Sequence, residues 1–107
     1  MSERRMSGQR VVAAEELATD ALAYLAGDLE HLGRFLALAG IGPSELRTAA
    51  AEPGFLIGVL EFYMGHESLL LAFCEARGHR PTEFAAARYA LDAEGRQEAG
   101  LESDGDF

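Results

Sequence analysis

Apolar side chains recur along this chain at spacings of three and four, the period of a helix with one buried face. Over 11–26 the stripe is Ala14, Leu17, Ala18, Ala21, Leu22 and Leu25. A second stripe follows Asp28 and holds Leu29, Leu32, Phe35 and Leu36; a third, from Pro43, holds Leu46 with Ala49 or Ala50. A fourth, from Pro53, holds Phe55, Leu56, Val59, Leu60 and Tyr63. A fifth follows His66 with Leu69, Leu70, Phe73 and Cys74, and a sixth, from Pro81, holds Phe84, Ala87 and Leu91. No stretch alternates in the manner of a half-buried strand.

The breaks between stripes are as regular as the stripes. Gly27, Gly40, Gly65 and Gly78 each follow an apolar segment, where a helix ends in a left-handed residue. Pro43, Pro53 and Pro81 each open a segment, as proline does in a first helical turn. The pattern predicts an all-α fold, a compact bundle of about six short helices forming one domain over 11–93. Residues 1–10 read as a flexible basic N-terminus. Residues 94–107, aperiodic and acidic, read as a disordered tail.

A shift of 38 positions lays the chain on itself without a gap. Leu22 meets Leu60, Gly27 meets Gly65, Leu32 meets Leu70 and Phe35 meets Phe73. Gly40 then meets Gly78, Pro43 meets Pro81, Glu45 meets Glu83 and Ala49 meets Ala87. Both halves carry a Gly-x-x-Pro-[Ser/Thr]-Glu corner, in which glycine ends one helix, proline starts the next and glutamate can reach back to a free amide. Two pseudo-symmetric three-helix units, 11–51 and 53–91, would produce this. So would the common grammar of short helical hairpins in a chain rich in Ala, Leu and Gly.

Composition narrows the functions available. The 107 residues carry a net charge of −9, and every basic residue is arginine. Acidity on this scale repels phosphate backbones and argues against general nucleic-acid binding. The single cysteine, Cys74, excludes an internal disulfide framework and suits a reducing, cytoplasmic setting. Glu15, Glu16 and Asp20 interrupt the apolar run that a signal peptide would need, and the densest apolar stretches, 55–60 and 69–74, are too short to span a bilayer. No membrane association is expected. With no tryptophan and much alanine, few large side chains build the core. A domain this small leaves room for help from a partner or a second copy.

Candidate chemistry is sparse. His31, His66 and His79 show no paired metal spacing, and Asp28 and His66 fall on equivalent helix-capping positions, which accounts for them without a metal. Cys74 beside Phe73 reads as a small buried hydrophobe, and Glu15, Glu16 and Asp20 as a solvated face. No nucleophile–base–orienter set and no phosphate-cradling Gly-Lys loop is present, so no catalytic, cofactor-binding or metal residue is assigned. Two local features stand out. Gly40, Ile41, Gly42 and Ser44, with Arg47 nearby, resemble the turn of helix-hairpin-helix proteins, which presents amides to phosphate. The second copy of that corner, Gly78-His79-Arg80, lacks the second glycine. Phe62, Tyr63 and Met64 cover more than one side of the fourth helix, which fits a central helix buried on two sides or, as the functional reading, an apolar interaction surface.

The order Leu32-Gly33-Arg34-Phe35, Gly40-Ile41-Gly42-Pro43, Leu46-Arg47, Pro53-Gly54-Phe55-Leu56, Val59-Leu60-Glu61-Phe62 and His66-Glu67-Ser68-Leu69-Leu70 resembles domain-of-unknown-function family 3572, a group common in alphaproteobacteria, over roughly 14–91. His66 departs from the acidic residue expected at that place. The resemblance implies a compact cytosolic helical protein and no established catalytic residues. Together these features favour a non-enzymatic module acting on a protein partner or as a homodimer. A degenerate nucleic-acid corner at Gly40–Ser44 is the alternative. A third is a ligand pocket between the halves, near Tyr24, His31, Arg34 or Arg80.

Overall fold

A computed structural model describes the backbone over residues 2–104 and the side chains over 9–52 and 54–93. The described residues form α1 (Ser2–Ala26), α2 (Leu29–Ala39), a single 3-10 turn (Pro43–Glu45) leading into α3 (Leu46–Ala49), α4 (Pro53–Met64), α5 (Glu67–Arg77) and α6 (Pro81–Asp104), with no strand among them. The all-α bundle follows the punctuation of the sequence. Gly40 and Gly78 end α2 and α5 at φ of 72° and 74°, the left-handed region where a Cβ is strained, whereas Gly27 and Gly65, expected to do the same, follow α1 and α4 without a positive φ. Pro43, Pro53 and Pro81 each start a segment.

Both long helices outrun the apolar pattern. The backbone is helical over 2–10 and 94–104, where a flexible N-terminus and a disordered tail are expected from the sequence. Those stretches lack an apolar stripe, but 93–102 is rich in Ala, Glu, Gln and Leu, whose helix propensity is high. Residues 105–107 of the expected tail lie outside the described residues.

The core is built around α4, which packs against α1, α2, α5 and α6. Leu56, Val59, Leu60, Phe62 and Tyr63 of α4 are buried, so this helix is covered on more than one side. α1 contributes Ala14, Leu17, Ala18, Ala21 and Leu25; α5 contributes Leu69, Phe73 and Cys74; α6 contributes Phe84, Ala87 and Leu91. Tyr63, Phe73 and Phe84 pack ring on ring at 5.3–5.6 Å. The Tyr63 hydroxyl donates to the Ala21 carbonyl at 2.6 Å, which satisfies a polar atom in the interior. Leu29 is the exception among the expected core residues. It is 79% exposed, because the first turn of α2 stands at the edge of the bundle.

The offset of 38 also relates the element boundaries. α2 and α5 are 11 residues each and start 38 positions apart, and α1 and α4 end at Ala26 and Met64. Gly40 N–H donates to Leu36 and Gly78 N–H to Cys74, both at 2.9 Å; Ile41 and His79 donate to the same two carbonyls. Glu45 accepts from the Gly42 amide at 2.9 Å and Glu83 from the Arg80 amide at 2.8 Å. The correspondence stops at the third helix. α3 ends after four residues, just ahead of Pro53, whereas α6 continues for 24 and lies along both α1 and α4.

Candidate interaction groove

Of the two readings of Phe62, Tyr63 and Met64, the structure favours the centrally buried helix over the apolar surface. Tyr63 is fully buried and Phe62 is 6% exposed; Met64, at the end of α4, is the exposed member. The width of the aromatic run reflects a central helix covered from several directions. Phe62 packs on Phe35 at 5.4 Å and stacks on His66 at 4.1 Å. Burial pushes the Tyr63 phenol well above its ordinary range.

The corner at Gly40, Ile41, Gly42, Ser44 and Arg47 has no free donor array of the kind phosphate requires. The Gly42 amide is taken by the Glu45 carboxylate, and Ile41 packs against the core. The helical turn that follows is a three-residue 3-10 segment with an acidic third residue. Such a short segment sums little dipole, and Glu45 places negative charge where an incoming phosphate would sit. Arg47 is exposed one turn further on.

The histidines are structural fixtures of the corners. Asp28 caps α2 by accepting from the His31 amide at 3.2 Å and from the His31 ring at 2.6 Å. The His31 ring holds the Asp28 carboxyl below its ordinary value. His66 occupies the matching cap position but makes no side-chain cap; its Nδ1–H donates back to the Phe62 carbonyl at 2.7 Å. Among the described residues no cluster of His, Cys, Asp or Glu could hold a metal ion. Cys74 is buried, and desolvation raises its thiol further, which keeps it protonated.

Asp20 lies elsewhere than on a solvated face. It pairs with Arg77 and stands 3.5 Å from His79 Nε2, tying α1 to the α5–α6 corner. The other nitrogen of His79 faces Glu83 at 3.0 Å, and this bond lowers the Glu83 carboxyl below its ordinary range. The His79 ring stacks on Phe73 at 5.3 Å, and Arg77 lies over Tyr24 at 5.5 Å.

This cluster closes one end of an open groove of about 1160 Å³ between α1 and α6. Because Asp20 meets the start of α6, the two helices run antiparallel. Arg10 and Ala93 mark the far end. Val11, Ala13 and Leu17 line one wall, and Ala86, Ala90 and Tyr89 the other. Tyr89 is 67% exposed on the rim. The core stripe of Phe84, Ala87 and Leu91 leaves Ala86, Ala90 and Ala93 unassigned in the sequence. A sharper sign was available. With Phe84, Ala87 and Leu91 already inward, the extra alanines make the apolar sector of α6 wider than one core face needs. A second, smaller depression has Tyr24, Leu29 and His31 facing Ser68, Ala72 and Arg77; Arg34 and Arg80 are not part of it.

No single helix among the described residues is long and apolar enough to cross a membrane, and the apolar pair α4–α5 is bent by 104° within the bundle. No curated protein and no solved structure matches the chain. A family model described as "Protein of unknown function (DUF3572)" matches residues 12–94, from α1 into α6. The chain therefore belongs to the DUF3572 family.

Proposed function

We propose that this protein is a non-enzymatic interaction module whose docking site is the α1–α6 groove, and that it receives an amphipathic helix of a protein partner. The observation that carries this is the groove itself. It is an open, mostly apolar groove along two antiparallel helices, lined by alanines, with charged residues toward its ends and an exposed tyrosine on its rim. Alanine lets a third helix axis approach to about 8–10 Å, the ordinary spacing of packed helices. Helix-in-groove recognition uses this geometry, with apolar residues at helical spacing as anchors. Tyrosine on such a rim offers a large contact area at low entropic cost.

Charge sets the direction of the guest. Arg10 stands at one end of the groove, and Glu16, Asp20 and Glu83 stand toward the other. A helix with an acidic residue near its Arg10 end and a basic one near its Asp20 end is complementary. The corner of Gly40 to Ser44 takes no part in this, since its amide already has an acidic partner.

The test is site-specific photocross-linking in host cells. A benzophenone side chain at position 89 should give one discrete adduct, mapped on the partner to a helical segment with the apolar spacing and end charges above. The adduct should vanish when Ala86→Arg fills the groove. The same probe at Leu38, 74% exposed on α2 away from the groove, should give none. Adducts of equal yield from both positions, or indifference to Ala86→Arg, would remove the proposal.

A further inference from the structure

The charges of the groove are complementary to themselves, and we propose that its occupant is a second copy of this chain, docked about a two-fold axis so that the α1–α6 pairs of the two copies stack face to face as an antiparallel four-helix bundle. This rests on the groove being a docking face. What it adds is the identity of the guest, and two observations carry it.

The first is polarity. Arg10 and Glu16 both line the groove and are exposed, and neither has an ion-pair partner among the described residues. They lie six residues apart on α1, about 9 Å along the axis, which is beyond the three- or four-residue spacing of an intrahelical pair. A two-fold axis crossing the groove between them reverses α1 of the second copy. Arg10 of each copy then faces Glu16 of the other. An isologous interface requires self-complementarity of this kind, in which each residue contacts the symmetry mate of its partner.

The second is shape. Small alanine side chains on the groove walls let one helix pair stack closely on an identical pair, groove on groove, in the manner of four-helix bundles. Tyr89, exposed on the rim, is a knob with no hole in its own chain. The copies do carry a penalty, since two chains of net charge −9 repel one another. The face meets that penalty with an apolar floor and with its paired end charges.

Sedimentation velocity on the purified full chain, from micromolar to submillimolar concentration at physiological salt, tests the pairing. The wild type should dimerise. Arg10→Glu and Glu16→Arg should each raise the dimer Kd at least about tenfold, because each sets like charges face to face. The double reversal Arg10→Glu/Glu16→Arg should bring Kd back to within about threefold of wild type. Both positions are exposed, and the rescued double variant separates lost contact from lost folding. A wild type that stays monomeric, or a double variant weaker than either single one, would overturn the dimer. If the wild type is monomeric while position 89 still cross-links to a different protein in cells, docking stands and the second copy falls. If neither happens, both fall.

Discussion

Glu45 and Glu83 hold the same place in the two halves of the chain, and each bonds back to an amide three residues before it. Glu45 stops there. Glu83 also holds His79, and through His79 the corner reaches Asp20 on α1. The same contrast shows at other positions related by the offset of 38. Phe35 packs on two aromatic rings, Phe55 and Phe62, whereas Phe73 packs on Tyr24, Tyr63, Phe84 and His79. α3 is four residues long and α6 is 24. A shared set of turns fixes where helices begin and end. It does not fix how far they run or what they pack on. The second half continues into a long helix beside α1, and that helix supplies one wall of the groove.

Equivalent substitutions in the two halves can break this comparison. Phe73→Ala and Phe35→Ala should each cost about 3–5 kcal/mol, with Phe73 at the upper end because it loses more aromatic neighbours. Denaturant melts of the two variants check the order; equal losses would mean the halves contribute equally to the core. Tyr63→Phe should cost about 1–2 kcal/mol by removing the buried hydroxyl donor to Ala21. Leu25, its counterpart at the offset of 38, has no such bond to lose. Gly40→Ala and Gly78→Ala should each cost roughly 1 kcal/mol and agree with one another, since both sites demand the same left-handed backbone and have open space around a new Cβ.

The smallest effect is a pH dependence. Bonding to His79 lowers the Glu83 carboxyl below its ordinary value of 4.5 in the folded state. A depressed carboxylate contributes stability that is fully present above that ordinary value and is lost as pH falls through the lower folded one. Asp28, lowered from 3.8 by His31, acts in the same direction in the first half. Glu83→Gln and Asp28→Asn should therefore each flatten the acid limb of the stability curve, as read by thermal melts between neutral pH and about pH 3. An acid limb unchanged in both variants would show that these bonds do not persist in solution.

The helix boundaries were legible because glycine and proline act locally. A left-handed cap at Gly40 or an opening at Pro53 is decided by the residue itself. The core was largely legible because helical spacing reports which positions share a face. The groove was not, because it depends on how two helices distant in sequence lie together. Val11 and Ala13 acquire meaning only once Ala86 and Ala90 are beside them. The same reason explains Phe62, Tyr63 and Asp20. An aromatic run wider than one face can mean exposure or a central position, and an acidic residue can be solvated or bonded across the fold. Only the tertiary partners, α2 and α6 for the first and Arg77 for the second, decide between them.

The central claim is that the groove between α1 and α6 is closed over by a protein helix, and one probe reads it directly. The chain has no tryptophan, so Tyr89→Trp places a single indole on the rim. Its emission should move to shorter wavelength as protein concentration rises, the mark of an indole leaving water. In the Ala86→Arg background it should keep the emission of a solvent-exposed indole throughout. Emission independent of concentration in both backgrounds, together with no adduct from position 89 in cells, would contradict the account.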